Sequence, residues 1–296
     1  MNVKLKITVF AASLAAVLSV PFFIFVSRSP VLIVTDQSFV SLYGEARIRC
    51  ETFLSSLSLF RPVKIVEAVD DAGGDIVRFA VEDFSSRPYC VLFPLRFIHA
   101  ARLYSEYNPG VPVVLLEGRR GDDDIQGVSD GENGYYSYKT DIDMDFYRAG
   151  IAAAALGMGK DGKIAVFLEP RILAQAREAF LRAVEAGENP RETLFFTSFS
   201  QYTDIPGLSC VVLAGAGAEF LETGSGVPVI LFSWIDPKFV PAGVVLVVND
   251  SPWVQIVEAV RMAAAGSARG LIQSEFRFIG VKNINRETLR KIQKPD

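Results

Sequence analysis

Histidine is almost missing from this chain: its 296 residues hold one, His99. Every Ser-His, Cys-His or multi-histidine zinc mechanism would have to run through that residue. It sits in a helical run beside Ile98 and Ala100, with no catalytic partner in the pattern, and reads as structural. Cysteine is scarce as well. Cys50, Cys90 and Cys210 are far apart and odd in number, which gives neither a CxxC metal cluster nor a disulfide framework. A basic excess is also lacking. Lys and Arg total 30 against 34 Asp and Glu, for a net charge of −4, so the electrostatic footprint of a nucleic-acid binder is absent and no nucleic-acid partner is expected. Apolar residues, by contrast, are abundant: hydrophobic residues make up 50% and charged ones 22%. A chain of that make-up folds and buries a large core.

The longest apolar run comes first. Met1 to Lys6 carries two lysines and no acid, and Ile7 to Val26 is interrupted only by Thr8, Ser13, Ser19 and Pro21. At ~1.5 Å per residue such a run can cross a hydrocarbon core of ~30 Å. Residues 1–30 therefore fit a secretory signal or an uncleaved signal anchor, and both export the rest of the chain. The alanines give no A-x-A pair, and Pro30 stands directly after the best small pair, Ser27 and Ser29. That favours an anchor. A lipoprotein would need a cysteine directly after the run, and the first is Cys50.

From Val31 onward short β-rich runs alternate with longer helical ones, the pattern of parallel sheets covered by helices. Strands are expected at Val31 to Val34, Val63 to Ala68, Cys90 to Phe93 and Val113 to Leu116, with helices at Ser41 to Leu57, Asp75 to Phe84 and Ile98 to Tyr107. Gly118 to Tyr138 is rich in Gly, Asp and Tyr without apolar periodicity and reads as an irregular crossing. The rhythm then restarts. Helices are expected at Phe146 to Gly157, Ile172 to Ala186, weakly at Ala216 to Glu222, and at Pro252 to Ala265, where proline starts a helix. Strands are expected at Lys163 to Leu168, Thr193 to Phe196, Val211 to Leu213, Val229 to Phe232, Val244 to Val248 and Glu275 to Ile279. The expectation is two similar α/β lobes, each a parallel sheet flanked by helices. The first takes 31–124 with about 250–266, and the second 141–235 with about 270–284.

This arrangement resembles a type I periplasmic binding protein over about Val31 to Lys282. The strongest stretch is Asp145-Phe146-Tyr147-Arg148-Ala149-Gly150, followed by Gly162-Lys163-Ile164-Ala165-Val166-Phe167. In that family an acidic residue at a lobe crossing, an aromatic and Ala-Gly lead into the first helix of the second lobe. Further matches are Thr35-Asp36-Gln37-Ser38-Phe39, Gly110-Val111-Pro112-Val113-Val114, Ala176-Arg177-Glu178-Ala179-Phe180 and Val247-Val248-Asn249-Asp250. Two departures stand out. Ala174 occupies the place where sugar receptors often carry arginine, and Val40 follows Phe39 where nucleoside receptors usually have Asn. The resemblance implies a non-enzymatic, extracytoplasmic solute-binding protein of an ABC importer, without cofactor or metal. It would close two lobes over a sugar or nucleoside and meet an ABC permease. A membrane-anchored sensory receptor is the alternative.

Open α/β sheets bind ligands outside the carboxyl ends of their strands, where helix N-termini and loop amides converge. That rule selects Asp36, Phe39, Phe93, Arg171, Trp234, Asp236, Asn249 and Asp250, with Asp145 at the crossing. The rings offer a stacking face and the carboxylates accept hydrogen bonds from hydroxyls or amines. Each also has a bland reading: the phenylalanines as core, and Asp145 and Asp250 as caps of the helices they precede. Asp141, Asp143 and Asp145 alternate as in a calcium loop, but Phe146 and Ala152 stand where that loop needs Gly and Glu. Ala214-Gly215-Ala216-Gly217 lacks the spacing of a phosphate loop and reads as a tight strand-to-helix turn. Gly150 is expected to let its helix approach the sheet closely.

Overall fold

The computed structural model describes residues 23–293 except 70–71, 86, 117–133, 158–161, 171–172, 188–189, 234–239, 241, 268 and 280–285. The apolar N-terminal run lies outside the described residues as far as 22; residues 23–27 are the described end of a helix, α1. Among the described residues no helix is long and apolar enough to cross a membrane.

In chain order the elements are β1 (Val31–Asp36), α2 (Gln37–Tyr43), α3 (Glu45–Leu59), β2 (Val63–Ala68), α4 (Gly74–Phe84), β3 (Cys90–Pro94), α5 (Ile98–Tyr107), β4 (Val113–Leu116) and β5 (Tyr135–Thr140). The second half contains α6 (Ile142–Leu156), β6 (Lys163–Leu168), α7 (Leu173–Glu185), β7 (Thr193–Phe196), β8 (Leu208–Ala214), β9 (Val229–Phe232) and β10 (Val244–Asn249). The C-terminal stretch adds α8 (Pro252–Ala264), β11 (Arg269–Ile272), β12 (Glu275–Phe278) and α9 (Arg286–Gln293).

The strands form two six-stranded sheets, ordered β11-β5-β4-β3-β1-β2 and β12-β10-β9-β8-β6-β7. Numbered within its own half, each sheet therefore runs 2-1-3-4-5, with one late strand added beside the fifth. Pairing from β1 through β5 and from β6 through β10 is parallel, while β12 runs antiparallel to β10. Parallel strands need helical crossovers that cover both faces. All six residues of β1 and all four of β9 are accordingly buried.

The chain divides into two compact units, each containing one sheet. The first takes the described residues up to Leu116, those from 134 to Tyr138, and Ile256–Gly270; the second takes those within Lys139–Gln255 and from Leu271 on. In the second unit a continuous core runs from Phe146, Ala149 and Ala153 of α6 through Ile164, Val166 and Val212 to Phe180 of α7 and Ile292 of α9. Phe146 stacks on Phe232 at 4.7 Å between ring centroids.

Four expectations are corrected. The helix expected over Ser41 to Leu57 is two helices, broken at Gly44, whose φ of 74° ends α2. The end of the supposed irregular crossing is strand β5: its tyrosines have strong β propensity, and Tyr135 and Tyr138 are buried while Lys139 is exposed. The rest of that crossing lies outside the described residues. The weak helix near Ala216 is a short 3-10 turn, Ala218–Glu222. Gly150 faces another helix rather than the sheet. A Cβ there would stand 2.7 Å from the carbonyl oxygen of Phe180 and 2.8 Å from the Ala183 Cβ, so its smallness sets how closely α6 and α7 approach. Strand β11 and helix α9 carry no signal that the sequence pattern picks out.

Gly150→Val is expected to lower unfolding stability by at least about 1 kcal/mol, because it forces a side chain against a backbone oxygen that cannot move independently. Chemical denaturation measures this; an unchanged midpoint would contradict the close helix contact.

Candidate functional site

In a sheet ordered 2-1-3-4-5, connections leave strands 1 and 3 in opposite directions, and the crevice at that switch point is where ligands bind. The first unit's switch point lies between the carboxyl ends of β1 and β3. Asp36, the last residue of β1, is 6% exposed. Its carboxylate caps α2 by accepting the Phe39 amide at 2.5 Å, and it forms an ion pair with Arg96. Arg96 sits in the 3-10 turn Leu95–Phe97 directly after β3. Its side chain is 38% exposed, so the pair has a buried anionic end and a solvent-facing cationic end. Phe39 is half-buried and its ring lies 4.7 Å from that of Tyr43. Acid, guanidinium and two rings therefore meet at the place the topology selects.

The second unit's switch point lies between the ends of β6 and β8. Here the Glu169 amide donates to the Ala214 carbonyl at 3.1 Å, and Leu168 bridges Gly215. Gly215 and Gly217 have φ of 87° and 77°, in the left-handed region that favours glycine. Gly217 lies against the Phe167 ring, leaving no space for a Cβ. Phe167 in turn packs with Phe196, Phe199, Tyr202 and Phe220 at 5.2 to 6.3 Å. The turn is thus a tight connection on an aromatic floor.

At the neighbouring strand ends, Asp250 is 2% exposed. Its carboxylate accepts the Ser233 amide at 3.0 Å and the Ser233 hydroxyl at 2.5 Å, tying the end of β10 to the end of β9. Asn249 pairs with Glu275 across the antiparallel β10–β12 ladder and is half-buried.

Asp145 stands apart from these. It does not precede a helix: Asp141 is the N-cap of α6, accepting the Met144 amide at 3.0 Å, and Asp145 lies one turn inside. Its carboxylate accepts both the amide (2.9 Å) and the hydroxyl (2.5 Å) of Ser274, in the β11–β12 connection. Arg148, 3.9 Å from that carboxylate, donates to the carbonyls of Ser274 and Ile292 and covers the Phe276 ring at 4.0 Å. Burial pushes the Asp145 carboxyl up to about 7, against the pull of the Ser274 hydrogen bonds and of Arg148, with Asp250 adding to the rise. Burial likewise draws the Arg148 guanidinium down, opposed by Asp145 and Asp141.

The structure thus brings Asp36 and Phe39 together at one switch point, and places Asn249 and Asp250 at adjoining strand ends of the second unit. It does not place Phe93 or Asp145 on these surfaces. Phe93 is 0% exposed and packs on Tyr104, so its ring belongs to the core. Asp145 is committed to Ser274. Arg171, Trp234 and Asp236 lie outside the described residues. Arg96, paired with Asp36, closes the strand-end loop Phe93 to Arg96 that the same rule selects, but the sequence does not single it out. Cys90 and Cys210 are buried free thiols pushed up to about 12 by burial, while Cys50 is exposed. His99 lies on α5 and is exposed. Among the described residues no group of three or more His, Cys, Asp or Glu side chains is placed to hold a metal ion.

No protein-family model matches the sequence, and no curated protein matches it. Solved structures do. The chain is similar to a transcriptional activator of the comK gene from Bacillus halodurans, at 11% identity and a TM-score of 0.59, over 90% of this chain and 95% of that one. It is similar to a solute-binding protein of an ABC transporter system from Conexibacter woesei, at 13% identity and a TM-score of 0.56, over 90% and 94%. A sugar-binding protein of a sugar ABC transporter from Bacillus halodurans matches at 13% identity and a TM-score of 0.54, over 85% and 97%. The chain has the type I periplasmic binding protein fold.

The Asp145 environment predicts a pH dependence. Its pKa is raised in the fold from 3.8 to about 7. Between those values the folded chain holds a proton that the unfolded chain has released, so this group's contribution to stability is lost as pH rises through that window. Asp145→Asn fixes the neutral form while keeping an oxygen for the Ser274 amide. Its melting temperature relative to the parent is expected to be higher at pH 8 than at pH 4. Leaving Arg148 without its counter-charge shifts the variant's whole curve but not this difference; parallel curves would contradict the assignment.

Proposed function

We propose that the chain is a non-enzymatic, extracytoplasmic solute-binding protein that delivers a small polar ligand, a sugar or nucleoside, to an ABC permease. The observation that carries the reading is the Asp36–Arg96 pair at the first unit's switch point, beside the half-buried Phe39 ring. A hydroxyl-rich ligand needs an acceptor for its hydroxyls, a donor for its oxygens and a face for its apolar ring surface. The switch point offers all three within one loop cluster. Solute-binding and sugar-binding proteins among the similar structures support the same reading.

From the second unit we assign ligand contacts to Asn249 and to the strand-end residues Arg171, Trp234 and Asp236. Asp250 supports them by holding Ser233. The ligand makes its full set of contacts only when both units engage it, and that differential affinity is what selects the liganded state for a permease.

We further propose that Ile7 to Val26 remains as an uncleaved anchor in the inner membrane, with the two units on its outer side. Its length, its basic flank and the lack of a good cleavage site support this. Intact Met1 on membrane-fraction protein is the expected result of N-terminal sequencing; released protein beginning near Ser29 would contradict the anchor.

The binding test is a thermal-shift panel of monosaccharides and nucleosides, followed by calorimetry with the strongest hit on Asp36→Asn. Asparagine still caps α2 but carries no charge. The melting temperature should fall modestly, because the α2 cap is kept while the charge facing Arg96 is lost, and affinity should fall tenfold or more, as expected for losing a charge-assisted hydrogen bond of ~1.5–3 kcal/mol. Unchanged affinity in this variant would place the site elsewhere.

A further inference from the structure

Helix α3 is inverted. Beyond the buried Ile48, its inward side carries hydroxyls over the C-terminal half: Ser55 and Ser56 are buried, and Ser56 Oγ donates to the Thr52 carbonyl at 2.7 Å while accepting the Val63 amide at 2.9 Å. Its outward side carries Phe53, Leu54 and Leu57 at 61%, 51% and 53% exposure, joined by the exposed Phe60 at its end. In a helix facing water the serines would point out and the leucines in. An exposed apolar stripe of this kind marks a surface that something else covers.

The neighbours of the stripe identify the cover. Phe25, in the described end of α1, meets the Phe60 ring edge-on at 6.0 Å. Arg28 lies over the same ring at 4.7 Å and donates to the Phe60 carbonyl at 3.2 Å. Phe23, Ile24 and Val26 are exposed beside it. The apolar run Ile7 to Val26, long enough to span a bilayer, therefore ends at the C-terminal end of the inverted helix. If that run lies in the membrane, Phe60 stands at the level where the run emerges, and the stripe continues along the bilayer surface from that point. Arg28 and Arg61, near Phe60, suit the phosphates of anionic lipids. We infer that α3 is an interfacial helix: its Phe53-Leu54-Leu57-Phe60 face lies in the headgroup region of the membrane that holds the N-terminal anchor, fixing how the first unit stands on that membrane. This rests on the anchor reading above and goes beyond it, since a tethered domain need not touch lipid at all.

The chain carries its own reporter site. Cys50 is exposed on α3 one turn before Phe53, while Cys90 and Cys210 are buried and resist alkylation. The full chain is reconstituted into vesicles of three parts phosphatidylcholine to one part phosphatidylglycerol, with a nitrobenzoxadiazole dye on Cys50. A reference carries the dye on the exposed side of α7, in Cys50→Ser with Glu178→Cys. Quenching by lipids spin-labelled near the acyl carbonyl should be at least about threefold stronger for Cys50 than for the reference, and quenching by aqueous iodide correspondingly weaker. A Cys50 dye as open to iodide as the reference overturns the proposal. So does a dye shielded from both quenchers, which would mean that the N-terminal run folded back, or a second copy, covers the stripe. Flotation after alkaline carbonate washing reports the anchor separately. Chain that fails to float overturns both readings, whereas chain that floats with a water-exposed Cys50 overturns only this one.

Discussion

The second unit depends on one buried interaction, the Asp145 carboxylate gripping the amide and hydroxyl of Ser274. These residues are 129 positions apart. Between them the chain lays down β6 to β10 of the second sheet, leaves for the first unit through α8 and returns through β11. The carboxylate fixes the returning segment against the first turns of α6. Arg148, one turn further along, fixes the carbonyls of Ser274 and Ile292 and so positions α9 as well. A buried charge without partners costs several kcal/mol; here two ionisable groups and a set of backbone atoms satisfy one another. The raised carboxyl pKa shows that the compensation is incomplete, which makes this joint sensitive to protonation.

That joint sits where the chain returns to its second unit, and such returns shape the whole fold. Each unit receives its last strand from the C-terminal part of the chain, β11 for one sheet and β12 for the other. Neither unit is a simple consecutive stretch of sequence. Both sheets share the 2-1-3-4-5 order, so both place a switch point between their first and third strands. At the first an ion pair stands beside two rings, and at the second a glycine turn rests on stacked aromatics. The two switch points are unlike in chemistry although alike in topology.

Much of the fold is legible in the sequence because parallel sheets write themselves as continuous apolar runs: Val31 to Val34, Val229 to Phe232 and Val244 to Val248 stand out without any periodicity. The departures have physical causes. Strand β5 is hidden because its buried positions are tyrosines spaced by polar residues, and α9 because a mostly polar helix buries little beyond Ile292. Asp145 precedes an apolar helical run and so resembles a cap, yet Asp141, four residues earlier, takes that role. Gly150 must be small because α7 brings the Phe180 carbonyl and the Ala183 methyl against it, and a linear pattern does not carry the packing of one helix on another. Asp36 is legible because the last residue of a strand at a switch point is selected by topology alone; Arg96, its partner, needs the folded turn to reach it.

Whether this fold serves as a receptor for a small polar solute is tested most directly by native mass spectrometry of gently purified protein, since a receptor closed on its ligand retains it through dilution when dissociation is slow. A receptor should show a non-covalent mass increment the size of a sugar or nucleoside that disappears on denaturation and returns when the released compound is added back. Protein that carries no increment, and acquires none from a panel of sugars and nucleosides at millimolar concentration, would contradict that role.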